Sequence, residues 1–296
     1  MASHRHFNPW AFVLPGVIAG GVILGVPVVQ ALWTSLHRLR LYRLDDQVFV
    51  GLENYIRLLQ DPLFHLSIRA TVVFTFGCTV LSVVIGLAVA AVMSTRGIRG
   101  TGWARFFMAF YLVPFVATQV VVGMLGRLYI WEPEYGLVNY LFELVGVQGP
   151  MWLISVDTAM WATIITNTWR LIPLALLIFY AALATVPDEL LESAEVDGAG
   201  GWRALWSVKL PLIRYHIGFV ALIQLTSAFR EFDTVFALTG GGPGRATNVL
   251  SLLVYNEGIS AANLGMANAI SFTMLLIVAV MSLIYMRITR LGELDR

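Results

Sequence analysis

Between Glu192 and Pro211 the chain reads ESAEVDGAGGWRALWSVKLP. The stretch holds three acids, Glu192, Glu195 and Asp197, two bases, Arg203 and Lys209, and the glycines Gly198, Gly200 and Gly201. Oily runs flank it on both sides, so this charged segment belongs at a membrane surface. Pro187 suits a first helical turn, and Asp188 and Glu189 follow it where the helix dipole favours acids. Leu190, Leu191, Ala194 and Val196 give a modest apolar side. The glycines then break the helix, because glycine adopts backbone angles that other residues avoid. A second short helix is expected from Trp202, Leu205, Trp206 and Leu210 at helical spacing, ended by Pro211. Two short helices meeting at a glycine elbow make a compact knob that suits docking into a partner's groove. The other reading is a loop lying on lipid headgroups, anchored by its tryptophans.

Of the 296 residues, 58% are hydrophobic and 12% charged. Soluble domains run at about 45–50% apolar and about 25% charged. Half the usual charge cannot coat a globular surface of this size. A hydrocarbon core about 30 Å thick takes roughly 20 apolar residues as a helix. Six segments qualify: 11–36, 68–93, 104–131, 158–183, 215–238 and 264–288. In lipid each backbone polar group must bond within its own segment, so these runs are expected to be helices. The expectation is an all-α membrane protein of six transmembrane helices, a single domain over residues 1–296. The polar segment 187–211 lies between spans four and five. The opening MASHRHFNPWAFVLPGVIAGGVILG has the basic lead and apolar run of a signal peptide. Its apolar run reaches Leu36, too far for a signal, and reads as a retained first span.

Lys and Arg near the span ends set the orientation. With the N-terminus inside, ten basic residues fall on the inner side: Arg5, Arg96, Arg99, Arg105, Arg203, Lys209, Arg214, Arg287, Arg290 and Arg296. Six fall outside: Arg38, Arg40, Arg43, Arg57, Arg69 and Arg245. The loop 132–157 carries Glu132, Glu134, Glu143 and Asp157 and no base, which suits the outer face. Both termini and the 187–211 segment are then cytoplasmic. A net charge of +1 offers no general attraction to nucleic acid.

Catalytic signatures are missing. A phosphate-cradling loop needs G-x-x-x-x-G-K-[ST], and the single lysine, Lys209, follows Val208 rather than glycine. GGGPG, Gly240 to Gly244, reads as a tight turn around Pro243. The histidines His4, His6, His37, His65 and His216 are scattered, and the lone cysteine, Cys78, lies in an apolar run. The chain is therefore expected not to be an enzyme, and its energy to come from a separate subunit.

The insert resembles the EAA motif of ABC importer permeases, E-A-A, then D-G-A, then I-x-L-P. Here the residues are Glu192-Ser193-Ala194, Asp197-Gly198-Ala199 and Val208-Lys209-Leu210-Pro211, with Ser193 and Val208 as mild departures. A second stretch, FREFDTVFALTGGGPGRAT from Phe229 to Thr247, is similar to the span-five exit of the carbohydrate class, the maltose, trehalose and glycerol-3-phosphate types. The resemblance implies the type I importer permease fold. It makes residues 187–211 the coupling helix seated in a cleft of a cytoplasmic ATPase. Glu192 would pair with a basic group there, Gly198 would form the bend, and Leu210-Pro211 would fix the exit into span five. It further implies a second related permease subunit, two ATPase subunits holding ATP and Mg, and an external solute-binding protein. This chain would bind no cofactor or metal, and would sit in a bacterial or archaeal cytoplasmic membrane.

Ionisable groups deep in a membrane face protein, water or a partner. Asn167 and Arg170 in span four are three apart and share a face, near Pro173. In span five Gln224, Ser227 and Glu231 share one face, with Thr226, Arg230 and Asp233 on the next. Gln119 and Arg127 in span three and Asn268 and Ser271 in span six complete the polar set. On one reading Gln119, Asn167, Arg170, Gln224, Ser227, Arg230, Glu231, Asp233 and Asn268 line a path or gate for a sugar or polyol. Trp169, Phe229 and Phe232 would then offer flat surfaces to its C–H faces. On the other, the charges are ion pairs holding helices together. An anionic substrate would also suit the arginines, although nearby acids can neutralise Arg230. An ion-coupled secondary transporter, with Arg170, Glu231 and Asp233 as a relay, is the alternative function. A carboxylate-pair enzyme is disfavoured because Glu231 and Asp233, two apart on a helix, do not face each other.

Overall fold

The computed structural model describes residues 10–95 and 97–294, with side chains described over 13–95 and 97–287. His4, Arg5, His6, Arg96 and Arg296 lie outside the described residues, as does the side chain of Arg290. The chain divides into two compact units. One takes Met1–Asp61 and Leu253–Ile277, the other Pro62–Leu252 and Val278–Arg296.

Helix α1 (Trp10–Ser35) opens the first unit. It is apolar on every side, and its most apolar stretch buries nothing within the chain, as expected of a helix made for lipid or a partner helix. A short antiparallel hairpin follows, β1 (His37–Arg40) with β2 (Arg43–Phe49), pairing His37 with Phe49. Among the described residues it is the one sheet beside the helices. Helix α2 (Glu53–Gln60) closes the turn out of α1. There Asn54 Nδ2 donates to Ser35 O at 2.7 Å and to His37 O at 3.0 Å.

The second unit runs through α3 (Pro62–Met93), α4 (Gly102–Val116), α5 (Gln119–Leu125), α6 (Leu137–Leu144) and α7 (Val156–Ala184). It continues with α8 (Asp188–Val196), α9 (Gly201–Ala204), α10 (Leu210–Leu212), α11 (Arg214–Phe229) and α12 (Asp233–Thr239). Helix α13 (Leu250–Tyr255) and the long α14 (Leu264–Leu294) belong partly to each unit. Among the described residues, four helices are long and apolar enough to cross a membrane, α1, α3, α7 and α14. Two bent pairs meet the requirement together, Gly102–Val116 with Gln119–Ile130, and Gly201–Leu212 with Arg214–Phe229.

Spans three and five, expected as continuous helices, are therefore interrupted. Between α4 and α5, Ala117 and Thr118 take extended backbone with ψ of 138° and 146°, and the axis turns by 97°. The gain from this turn is close packing. A Cβ on Gly123 would meet Ala237 Cβ at 2.7 Å and Thr234 O at 2.9 Å, so glycine lets α5 lie directly on α12. Span five stops at Phe229, after 16 residues or about 24 Å of rise, and resumes at Asp233.

The core of this unit is α7 on α3. Phe74, Cys78, Ile164, Leu176 and Phe179 are fully buried. Lipid supplies no hydrophobic drive to join helices, so small residues that allow close contact do the work. A Cβ on Gly86 would sit 2.7 Å from Ala175 Cβ, and one on Gly77 would sit 2.8 Å from Ile164 Cδ1. Gly86→Ile is expected to destabilise the α3–α7 contact by about 1–3 kcal/mol, the usual cost of overpacking. A lowered melting temperature of the purified protein, with Gly97→Ile as a surface control that has open space around it, checks this.

Candidate functional site: a polar cavity and an exposed elbow

Both interruptions border one cavity of about 380 Å³. Its lining combines the end of α4, the start of α5, the middle of α7 and the break between α11 and α12. Non-helical backbone at membrane depth is tolerated where it lines such a space, because its free N–H and C=O groups need polar surroundings.

Seven of the nine residues singled out for the path line this cavity: Gln119, Arg170, Gln224, Ser227, Arg230, Glu231 and Asp233. Arg170 Nη2 donates to Glu231 Oε2 at 2.9 Å, with the two side chains only 13% and 1% exposed. Glu231 Oε1 accepts from Thr234 N at 2.9 Å, so the carboxylate also holds the first turn of α12. Its backbone carbonyl accepts from Ser251 Oγ. Gln119 reaches across from α5. With its amide nitrogen on Asp233 Oδ2 at 2.6 Å, its oxygen accepts from Arg170 at 3.3 Å, the orientation that satisfies both ends. Gln224 Nε2 donates to Leu171 O at 2.8 Å, while Gln224 Oε1 and Arg170 Nε make no hydrogen bond. Arg230 is exposed, its Nε donating to Thr226 O at 3.2 Å.

Asn167 lies behind the cavity wall. It is fully buried, its Nδ2 donating to Cys78 Sγ at 3.5 Å and its Oδ1 accepting from Arg170 at 3.5 Å. Its Oδ1 holds one end of the Arg170 guanidinium. Asn268 belongs to the other unit, where its Nδ2 donates to Leu264 O at 2.8 Å. Of the three aromatics, only Phe232 lines the cavity; Phe229 is buried and Trp169 is half exposed elsewhere. Phe115, Leu171 and Leu174 line it without having been singled out. Pro114 beside Phe115 was the available sign that the helix would turn there.

The 187–211 segment turns at its glycines. Helix α8 ends at Val196, and Gly198 sits at φ +80°, where a side chain is strained. Ala199 N donates to Ala194 O at 2.8 Å and Gly198 N to Glu195 O at 3.0 Å, closing a left-handed helix cap. Two details differ from expectation. Pro187 stands just before α8 with ψ of 133° rather than inside its first turn. Pro211 does not end its helix, which runs on to Leu212 and turns at Ile213. Pro211 follows a π-helical turn, Leu205–Lys209, within the continuous helix Gly201–Leu212.

Leu191 and Leu210 pack onto a core that includes Leu183, Val186 and Ile213, so the roots of both arms are held. The tips are exposed. Glu192 and Asp197 face outward, Ala194 and Ala199 are half-buried, and Trp202 meets Trp206 edge to face at 5.8 Å. Among the described residues, no group of three or more His, Cys, Asp and Glu could hold a metal ion.

Residues 82–293 match the family described as the binding-protein-dependent transport system inner membrane component. The chain is 31% identical to the trehalose/maltose transport system permease protein MalF of Thermococcus litoralis, over 95% of this chain and 93% of that one. It is 33% identical to the sn-glycerol-3-phosphate transport system permease protein UgpA of Agrobacterium fabrum, over 91% and 90%. Its fold matches a chain of a bacterial ABC transporter that imports the acidic polysaccharide alginate, with a TM-score of 0.78 at 20% identity, covering 95% of this chain and 94% of that one.

Removing one member of the buried ion pair leaves a charge without compensation. Arg170→Gln is expected to destabilise the protein by about 3–5 kcal/mol. Arg170→Gln with Glu231→Gln should recover most of that loss, as read by thermal unfolding in detergent.

Proposed function

The chain belongs to the family of binding-protein-dependent transport system inner membrane components, and from that premise we propose that it forms half of the translocation pathway of an ATP-driven importer of a neutral sugar or related polyol. It is a membrane-spanning permease subunit of an ABC transporter and not itself an enzyme. One observation carries the substrate reading. The two helix interruptions open onto a cavity of about 380 Å³ that offers amides, a hydroxyl, paired charges and the rings of Phe115 and Phe232. A sugar needs hydrogen-bond donors and acceptors together with apolar surface for its C–H faces. The formal charges of Arg170, Arg230, Glu231 and Asp233 cancel, which favours a neutral ligand over an anionic one. Gln224 Oε1 and Arg170 Nε are buried polar atoms still without a hydrogen bond.

Residues 187–211 would be the handle through which separate ATPase subunits, holding ATP and Mg, move the bundle. A second related permease would complete the pathway, an external solute-binding protein would deliver the substrate, and both termini would be cytoplasmic. The arrangement suits force transmission: Leu191 and Leu210 fix the roots in the core while Glu192, Gly198 and the tryptophan pair stay outside it.

The test is uptake by the reconstituted assembly. Gly198→Val forces a left-handed backbone on a β-branched residue, at about 1–2 kcal/mol of strain. Gly198→Val and Glu192→Ala should each cut ATP-driven uptake at least about tenfold, the effect of roughly 1.4 kcal/mol of lost coupling, while the membrane spans stay folded. Undiminished uptake in both variants would overturn the assignment.

A further inference from the structure

The connection from α5 to α7 is tightly built, and its helix α6 is fixed in orientation. Trp131 Nε1 donates to Thr166 Oγ1 at 2.7 Å, and Trp131 packs with Ala162 and Leu238 in one buried cluster that Val138, Trp152 and Leu153 join. Trp152 lies 5.1 Å from Trp131, ring to ring, and its Nε1 donates to Asn139 Oδ1 at 2.8 Å. Asn139 Nδ2 donates to Pro133 O at 2.9 Å. Phe142 meets Trp152 at 6.0 Å. Val138, Asn139 and Phe142 are therefore the face of α6 that looks into the protein.

The outward face is made for something other than water. Leu137, Tyr140, Leu141 and Leu144 stand at i, i+3, i+4 and i+7, a stripe about 100° wide. Each of the four is more than half exposed. Val145, Val147, Met151 and Ile154 beyond the helix are half exposed or more, so the apolar patch continues. Soluble surfaces seldom carry contiguous apolar area of this kind without a partner.

The same bonds set the depth of α6. Helix α7 has 29 residues, about 43 Å of rise, against about 30 Å of hydrocarbon. Asp157 in its first turn keeps that end out of the hydrocarbon. The connection is tied to α7 just below, at Thr158, whose Oγ1 donates to Trp152 O at 2.8 Å, and then at Ala162 and Thr166. That level is the boundary between acyl chains and headgroups, where Trp and Tyr are favoured. Trp131, Tyr135, Tyr140 and Trp152 all belong to this connection.

We propose that α6 lies in the plane of the lipid–water interface, with its leucine and tyrosine stripe sunk among the acyl chains, and so anchors the far end of the interrupted span three. Depth selects this occupant, because a stripe held beside the first turns of α7 meets the leaflet. Charge sets the kind of contact. Residues 132–157 hold Glu132, Glu134, Glu143 and Asp157 and no base, so α6 binds the hydrocarbon and needs no anionic headgroup. The anchor bears on the cavity as well. Trp131 packs against Leu238 of α12, the helix whose first residue, Asp233, lines that cavity.

Spin labelling of the intact assembly in nanodiscs of phosphatidylcholine tests this. Cys78 is buried, so Leu141→Cys and Leu144→Cys each give this chain one reactive thiol, with the unaltered assembly as the labelling control. Labels at both positions should be relaxed more by oxygen than by a water-soluble nickel chelate, at a depth of about 5–10 Å below the headgroup boundary. Adding Leu137→Asp and Tyr140→Asp should lift the label at Leu144→Cys into water and reverse its preference. The readout involves no transport, so it stands apart from the sugar reading. A stronger nickel effect at either position of the otherwise unaltered chain would overturn the proposal, by showing a helix that faces water. Protection from both reagents would overturn it too, since protein would then cover the stripe. So would an oxygen preference that appears only after phosphatidylglycerol is added.

Discussion

A carboxylate 1% exposed inside a membrane helix bundle has to be compensated, and in this protein Arg170 does it for Glu231 at 2.9 Å. Much of the second unit's arrangement answers to that pair. Arg170 sits on a continuous helix, α7, backed by the fully buried Asn167. Glu231 sits in the break of span five, where its own N–H turns back to Ala228 O at 3.1 Å. Its two ends are occupied by Arg170 and by the amide of Thr234, so one side chain ties α7 to the restart of the broken span. A lone ion pair at a surface would contribute little; enclosed in this way, each charge is needed because the other is there.

The same constraint explains why the two helix breaks and the cavity coincide. Unbonded backbone cannot face lipid. The residues flanking the first break, Phe115 and Gln119, and those of the second, Arg230, Glu231 and Phe232, line the same cavity. Glycine makes this possible at close range. Gly123 lets α5 lie against α12, drawing Gln119 to within reach of both Arg170 and Asp233. The elbow at 187–211 follows a different logic. Its apolar residues are divided between roots that join the core, Leu191 and Leu210, and residues left exposed, Leu190, Val196, Trp202 and Trp206.

Some of this could be read along the chain. The glycine elbow was legible because φ of +80° at Gly198 is a requirement only glycine meets without strain, and the flanking patterns end there. The candidate path residues were legible one at a time, since a polar group in a lipid-soluble run needs a reason. Their grouping was not. Gln119 and Glu231 are 112 residues apart in sequence, and nothing in either segment names the other. Phe115 and Leu174 escaped notice because an apolar residue in an apolar run carries no signal of which way it faces. The interruptions were equally silent. Pro114 hinted at the first, but FREFD at 229–233 reads as helix by propensity, and the break there depends on Arg170 and Ser251.

The amino-acid sequence alone determined that this chain lives in lipid, where its apolar segments fall and where its polar elbow bends. Those properties follow from the free energy of moving side chains and backbone out of water, which each segment carries within itself. Only the tertiary structure decided that spans three and five break, and that polar groups from α5, α7 and the α11–α12 gap line one cavity. Such outcomes are set by pairings between distant segments: Gly123 on Ala237, Arg170 on Glu231, Gln119 on Asp233. Their energies do not exist until the helices meet.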